Sequence, residues 1–108
     1  MKPIQIHSPP SFFSVSIGDN VHIGKGTIIE SVSIGSNVYI GENCVLSKRT
    51  VVKDCCWISD GTLLTPDTVV PPFSIYGGVP GIFVGELPAS APEVLKLIIR
   101  EKKTELTK

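Results

Sequence analysis

A six-residue spacing of apolar residues runs through most of this chain. Every step is six residues except one of five, between Ile29 and Ile34. Neither an amphipathic helix nor a simple alternating strand has this period. A hexapeptide repeat is typical of a parallel β-helix, and the strict six-residue form favours the left-handed kind. The series comprises Ile17, Ile23, Ile29, Ile34, Ile40, Leu46, Val52, Ile58, Leu64, Val70, Tyr76 and Ile82.

Small or apolar residues form a second series, four positions after the first. Because residues two apart in a strand face the same way, both series should face the core. Each hexapeptide then forms one flat side of a triangular prism, and three hexapeptides make one coil. The second series comprises Val21, Thr27, Val38, Cys44, Thr50, Cys56, Thr62, Thr68 and Ser74.

The two series predict an all-β solenoid, a left-handed parallel β-helix of about four coils with a C-terminal α-helix. The coils are assigned to residues 17–33, 34–51, 52–69 and 70–87, and the five-residue step predicts an irregular corner at 30–33. Gly, Asn and Asp tolerate the positive φ that a sharp corner requires. Glycines follow the inward residue at Gly18, Gly24, Gly35, Gly41 and Gly77, and Asn20, Gly26, Asn37, Asn43, Gly61 and Asp67 lie three positions after it.

Three segments divide the chain: an irregular N-terminal leader at 1–15, the repeat at 16–88, and a C-terminal helix and tail at 89–108. Ser90 and Glu93 match a capping box, with Pro92 in the first turn. The helix is therefore predicted from about 91 to 104. Its apolar segment, 94–99, should fold back and cover one flat side of the prism.

The outward positions of the repeat form three vertical stripes, one on each side of the prism. An uncovered apolar or aromatic stripe predicts a protein interface, and the helix should cover only one. The first stripe contains Ser16, Ser33, Val51 and Val69; the second contains His22, Tyr39, Trp57 and Ile75; the third contains Ile28, Val45, Leu63 and Gly81. The candidate interface residues are His22, Tyr39, Trp57, Ile75, Ile28, Val45 and Leu63.

The composition argues against several functional classes. Ten basic and ten acidic residues cancel, so no net charge favours nucleic acid or an anionic membrane. No apolar run approaches the length of a membrane span or a signal peptide. Three cysteines, two of them adjacent, make a poor disulfide framework and predict a reduced protein of the cytosol or nucleus.

Hexapeptide-repeat prisms include two enzyme classes that depend on histidine. Acyltransferases use one as a general base, whereas the carbonic-anhydrase-like class binds zinc through three. This chain has only His7, expected in a solvated loop, and His22, which is outward between Val21 and Ile23. A three-histidine site within one chain is therefore impossible. An acyltransferase with His22 as general base at a subunit interface remains the alternative function.

Other reactive side chains have structural explanations. Cys44 and Cys56 fall at inward positions, where thiols pack as small hydrophobic groups. Cys55 should point outward at a corner, so it faces away from Cys56 and a joint metal site is not expected. A modest basic corner, expected to be solvated, contains Lys48, Arg49 and Lys53. No catalytic residue, cofactor or metal is assigned.

The segment 17–87 resembles the C-terminal part of the dynactin subunit 5 family. The most specific stretch is 51–88, with KDCC at 53–56, VVPPF at 69–73 and GELP at 85–88. The five-residue step resembles an irregularity associated with that family. Family members carry further coils ahead of the point where this repeat begins.

The resemblance implies a non-catalytic structural and adaptor subunit of the pointed-end complex of dynactin. It implies pairing with a second prism, dynactin subunit 6, near the pointed-end actin-related protein and other pointed-end subunits. It also implies a role in the engagement of cargo adaptors by dynein–dynactin on microtubules. The implied location is cytoplasmic and cytoskeleton-associated.

Overall fold

Short strands and one helix make up the fold in a computed structural model, which describes residues 15–106, with side chains as far as Lys102. His7 and the predicted leader, except Val15, lie outside the described residues. The strands are β1 (Ser16–Ile17), β2 (Val21–Ile23), β3 (Ile28–Ile29), β4 (Ser33–Ile34), β5 (Val38–Ile40), β6 (Val45–Leu46), β7 (Val51–Val52), β8 (Trp57–Ile58), β9 (Leu63–Leu64), β10 (Val69–Val70), β11 (Ser74–Gly77) and β12 (Ile82–Glu86), and the helix is α1 (Ala91–Leu106).

Strands of successive coils pair in parallel and form one sheet on each side of a prism. The orders are β1-β4-β7-β10, β12-β11-β8-β5-β2 and β3-β6-β9. We call these the serine side, the aromatic side and the Ile28 side, after their outward residues. The register puts Ser33 between Ser16 and Val51, Tyr39 between His22 and Trp57, and Val45 between Ile28 and Leu63. The parallel β-solenoid with three outward stripes is therefore confirmed.

The fourth coil of the predicted solenoid is incomplete, which is a minor difference from the prediction of about four coils. Three coils are complete, and the fourth has two sides only, β10 and β11. The chain then reverses and returns as β12, antiparallel to β11. Gly78, with φ of 99°, and Pro80, which has no backbone N–H, lie in this reversal and end the repeat. Ile82, predicted to face inward, lies in this hairpin instead and is 62% exposed.

Both inward series fill the interior of the complete coils. Each buried aliphatic side chain stabilises the fold by roughly 1.5–3 kcal/mol. The inward hydroxyls of Thr50 and Thr62 donate to the carbonyls of Ser47 and Ser59, at 2.9 and 2.7 Å, so they are buried with a partner. Among the inward residues of the three complete coils, only Ile17, in the first coil, is exposed, at 36%. The buried core comprises Ile34, Val38, Ile40, Cys44, Leu46, Val52, Cys56, Ile58, Leu64 and Val70.

The corner residues three positions after each inward residue have the predicted positive φ, whereas the glycines directly after the inward residue do not. All six residues predicted three positions after the inward residue have φ between 55° and 77°. The glycines that directly follow the inward residue are needed for a different reason. A Cβ on Gly41 would lie 2.7 Å from the backbone nitrogen of Asp60, and one on Gly24 would lie 2.5 Å from the carbonyl of Gly41. These glycines let one coil approach the next.

The five-residue step does produce an irregular corner. The second and third coils turn here through Arg49 and Asp67, both with positive φ, whereas the first coil has no such residue between Gly26 and Asn37. Ser31 turns inward instead and is fully buried. Its hydroxyl lies 2.6 Å from that of Thr50 in the next coil, which keeps the shortened corner bonded to the core.

Replacing Gly41 with alanine should destabilise the protein by about 1–3 kcal/mol, because the added methyl group overpacks against the next coil. A urea titration of the free energy of unfolding measures this. The control is Gly85→Ala, since no heavy atom lies within 4 Å of the added Cβ there. This control should change the free energy of unfolding by less than about 0.5 kcal/mol. Equal losses in the two variants would contradict the close approach of the coils.

Candidate interaction surfaces

Helix α1 covers the aromatic side. Ala91, Leu95 and Ile99, spaced four apart on one helical face, are each at most 2% exposed. They pack with Cys55, and the helix approaches β2 and β5. The prediction that the helix lies on one flat side is confirmed, and the structure identifies which side it is. The half-buried residues packed against this helix cluster are Tyr39, Trp57, Phe73 and Leu87.

Three aromatic rings form a column beneath the helix. The rings of His22 and Tyr39 have centroids 4.9 Å apart, and those of Tyr39 and Trp57 are 4.1 Å apart and nearly parallel. The spacing follows from the ladder register, since successive strands lie ~4.8 Å apart. As predicted interface residues, His22, Tyr39 and Trp57 are brought together, but as a half-buried support for the helix. Direct contact with a partner protein stays a prediction for them.

The corner residues that precede the strands of the aromatic side stand in one column, which we call the corner column, and they show why the helix lies here. Asn20 and Asn37 occupy it in the first two coils, and the amide of Asn20 donates to the side-chain oxygen of Asn37 at 3.3 Å. Cys55 and Phe73 occupy the equivalent positions below, with φ of 57° and 60°. Apolar residues thus replace asparagine at a positive-φ corner where the helix covers it. Cys55 points out of the prism core, as predicted, but is only 4% exposed.

A small apolar groove lies between the start of the helix and the aromatic side. It has a volume of about 120 Å³. Leu97 and Val94, on the outer surface of the helix, are 60% and 48% exposed. The outer surface of α1 is therefore partly apolar, although Ala91, Leu95 and Ile99 on its inner face are buried. The lining residues are Trp57, Leu87, Pro88, Ala91, Val94, Leu95 and Ile98.

The Ile28 side is the predicted apolar stripe that the helix does not cover. Ile28, Val45 and Leu63 stand one above another in β3, β6 and β9. Ile28 is 55% exposed, and the other two are half-buried in the flat sheet. The amide of Gly81 donates to the carbonyl of Leu63 at 2.7 Å, which places it at the lower end of the same side. The fourth residue of the aromatic stripe, Ile75, lies in register with Trp57 of β8 as predicted, and on its other side it pairs with Gly85 of β12.

The basic corner is partly neutralised in the structure. The Arg49 guanidinium binds both carboxylate oxygens of Asp67, at 2.6 and 3.1 Å. This contact lowers the pKa of the Asp67 carboxyl and raises the pKa of Arg49. Since the side chains are 62% and 64% exposed, the pair adds little stability.

Residues 15–106 contain neither a cluster of metal-ligating side chains nor an apolar helix of membrane length. No group of three His, Cys, Asp or Glu side chains in that range could hold a metal ion. No helix there is long and apolar enough to cross a membrane. His22, the candidate general base, lies within the aromatic column.

Burial raises the pKa values of all three thiols. The pKa of Cys56 rises to about 11, chiefly because burial disfavours the thiolate. Burial likewise raises the pKa of Cys44, and burial followed by the charge of Asp54 raises that of Cys55. Because the thiolate is the reactive form, burial makes all three thiols less reactive.

Comparison with known proteins agrees with the fold. The family model described as dynactin subunit 5 matches residues 3–106. A hexapeptide transferase family protein from Anaplasma phagocytophilum is similar in structure, with a TM-score of 0.58 and 16% identity, covering 81% of this chain and 73% of that one. A maltose O-acetyltransferase from Clostridium difficile 630 aligns with a TM-score of 0.47 and 15% identity, covering 69% of this chain and 67% of that one. The first likeness concerns the fold alone. No curated protein sequence matches the chain.

Replacing Ile99 with alanine should destabilise the protein by about 2–4 kcal/mol, since the side chain is fully buried between helix and solenoid. Trp57 is the only tryptophan and lies in this contact, so its emission should shift to longer wavelength. Leu97→Ala is the matched control, because Leu97 is on the same helix but 60% exposed. Fluorescence with a urea titration measures both effects. A red shift from Leu97→Ala but not from Ile99→Ala would refute the packing of the helix.

The native protein should react slowly with a thiol-specific reagent at pH 7, and faster as the pH rises above about 9, because the raised pKa values keep the thiols protonated. Ile99→Ala should accelerate the reaction of one thiol, Cys55, which lies beneath the helix. Cys44 and Cys56 should be unaffected because they lie inside the prism. Mass spectrometry of the modified peptides assigns each site. Rapid labelling of Cys56 in the native protein would contradict its burial.

Proposed function

The chain belongs to the dynactin subunit 5 family, and from this premise we propose that it is a non-catalytic structural subunit of dynactin. In this role it is cytoplasmic and cytoskeleton-associated and acts at the pointed end of the complex. The solenoid offers rigid flat sides that hold other subunits in place. Its proposed contribution is to let dynein–dynactin engage cargo adaptors on microtubules.

The observation that carries the proposal is the uncovered apolar Ile28 side. The chain's own helix covers the aromatic side. The apolar residues of the Ile28 side are left without a covering element among the described residues. An exposed apolar stripe of this kind indicates a protein interface. The exposed fraction of Ile28, 55%, leaves most of its side chain available to a partner.

The proposed occupant of the Ile28 side is dynactin subunit 6, a second hexapeptide-repeat prism. A flat side of another prism has the same ~4.8 Å strand spacing, so its outward ladder can interdigitate with Ile28, Val45 and Leu63. Two such sheets pack face to face at ~10 Å. The pointed-end actin-related protein, other pointed-end subunits and cargo adaptors are the further proposed neighbours.

The structure gives the acyltransferase alternative little support. A general base must reach a substrate proton, and His22 stacks on Tyr39 in a column that the helix covers. We therefore assign His22 to the packing of the helix. His22→Ala should leave binding to dynactin subunit 6 unchanged, whereas an acyltransferase would lose its activity.

Ile28→Lys should weaken binding to dynactin subunit 6 at least tenfold, because it places a charge at the most exposed position of the proposed contact and costs about 1.4 kcal/mol or more. Val69→Lys is the matched control. Val69 is 53% exposed on the serine side, so it resembles Ile28 in size, strand position and exposure. Light scattering on a sizing column, after co-expression with dynactin subunit 6, measures the mass of the complex.

The expected result is a one-to-one complex for the native chain and for Val69→Lys, and separated subunits for Ile28→Lys. A complex that survives Ile28→Lys but not Val69→Lys would transfer the interface to the serine side. A chain that forms a stable homotrimer and ignores dynactin subunit 6 would overturn the proposed function.

A further inference from the structure

Backbone hydrogen bonds extend the Ile28 side below β9. We call each strand of this side, one in each coil, a rung. The outward residue of a rung donates to the carbonyl of the residue just before its equivalent in the next coil. Ile28 donates to Cys44, and Val45 donates to Thr62, both at 2.9 Å. The residue that accepts this bond therefore identifies the outward residue of the next rung, which follows it in the chain.

The same bond continues into the reversal of the chain. Leu63 donates to the carbonyl of Gly78 at 3.0 Å, so the fourth-rung equivalent of Leu63 is the next residue, Val79. In a regular parallel ladder the return bond to the carbonyl of Leu63 would come from the residue after that, which is Pro80 and has no N–H. Gly81 donates this bond instead, at 2.7 Å. The proline therefore shifts the register of the fourth rung by one residue.

This register differs from the one that the six-residue period predicts, which puts Gly81 at the outward position. A Cβ on Gly81 would lie 2.9 Å from the side chains of both Thr62 and Leu64, which are inward and buried. Position 81 thus faces the core and has no room for an outward side chain. Val79 is 70% exposed, more than Ile28 at 55%. The outward apolar residue of the fourth rung is therefore Val79.

From this register we propose that Val79 is the fourth contact residue of the Ile28 side, and that the partner is a flat side of a second prism at least four rungs long. The inference rests on the proposed function, because it adds a residue and a length to the same interface. Equivalent positions of a parallel ladder have their side chains on the same face, so Val79 continues the column of Ile28, Val45 and Leu63. The chain then returns as β12 in the aromatic-side sheet, so Val79 ends this surface.

The rung spacing favours a second prism as the occupant over a helix. Outward residues of any prism recur every ~4.8 Å along its axis, so they stay in step with all four rungs. Successive turns of a helix are ~5.4 Å apart, so a helix lying along the column is ~2 Å out of step at the fourth rung. No charged residue occurs between positions 74 and 85, so the fourth rung suits an apolar ladder rather than a charged partner.

The fourth rung also changes the size of the surface. Three rungs span ~10 Å along the axis and four span ~14 Å, so Val79 lengthens the apolar column by about half. A standard interface buries about 800 Å² on each partner, which is a patch roughly 28 Å across. The column of three rungs is short by this measure, so the reversal supplies contact area that the partner needs.

Val79→Lys should weaken binding to dynactin subunit 6 at least tenfold, because it puts a charge into the apolar column. Val84→Lys is the matched control, since Val84 is 61% exposed in the same hairpin but belongs to the aromatic-side sheet. This control, and Val79→Leu, which keeps an apolar side chain, should bind within about threefold of the native chain. Isothermal titration calorimetry measures the dissociation constants, and circular dichroism checks that each variant is folded.

Ile28→Lys in the same series separates this inference from the proposed function. Weakening by Ile28→Lys but not by Val79→Lys would overturn the inference and leave the proposed function intact. Equal weakening by Val79→Lys and Val84→Lys would also overturn it, because any charge on the hairpin would then have the same effect. A native chain that does not bind dynactin subunit 6 would overturn both.

Photo-crosslinking residues at positions 45 and 79 test the nature of the occupant. The two positions are two rungs apart, so a prism should be cross-linked at two sites about 36 residues apart in its own sequence, two coils of its repeat. A helix would be cross-linked at two sites only about six residues apart, since it rises ~1.5 Å per residue. The same residue at position 84 should give no product. Sites about six residues apart, or a product from position 84 and none from position 79, would overturn the inference.

Discussion

The vertical register of the coils is the constraint on which the whole structure depends. Each strand lies on its equivalent in the next coil, so every outward or inward position becomes a column of side chains ~4.8 Å apart. A side chain that packs favourably in one coil is therefore repeated in the next coil, and so is one that packs unfavourably. Inward columns of Ile, Leu and Val make the core, and Gly41 is required because any Cβ would meet the coil below. The same repetition turns single outward residues into continuous stripes on the surface.

The helix determines which of these surfaces remains available. It lies on the column of His22, Tyr39 and Trp57, whose stacked rings offer a broad, flat support for Leu95 and Ile99. Covering this side leaves the Ile28 side as the exposed apolar ladder. It also accounts for the place of His22, whose ring stacks on Tyr39 beneath the helix. The placement of a single helix thus decides which apolar side is left for the proposed partner.

Much of this fold could be predicted from the sequence, because the six-residue period is a local and repeated signal. It correctly predicts the two inward series, the three stripes, the six corners with positive φ and the first residue of the helix. The end of the repeat could not be predicted from the period, since Ile82 fits the spacing but lies in a hairpin that reverses the chain. The side that the helix covers was also not predicted, although the corner column carried a signal. Cys55 and Phe73 replace asparagine there, and apolar residues at an exposed positive-φ corner would be unfavourable unless another element covers them.

We propose that the helix leaves the Ile28 side, and not the aromatic side, available to a partner. The most direct measurement incorporates a photo-crosslinking residue at position 45, in the centre of the Ile28 side, or at position 97, on the outer surface of the helix. Each chain is then irradiated with dynactin subunit 6. We expect a cross-linked product from position 45 and none from position 97. A product from position 97 alone would show that the partner binds over the helix, and would contradict the proposed interface.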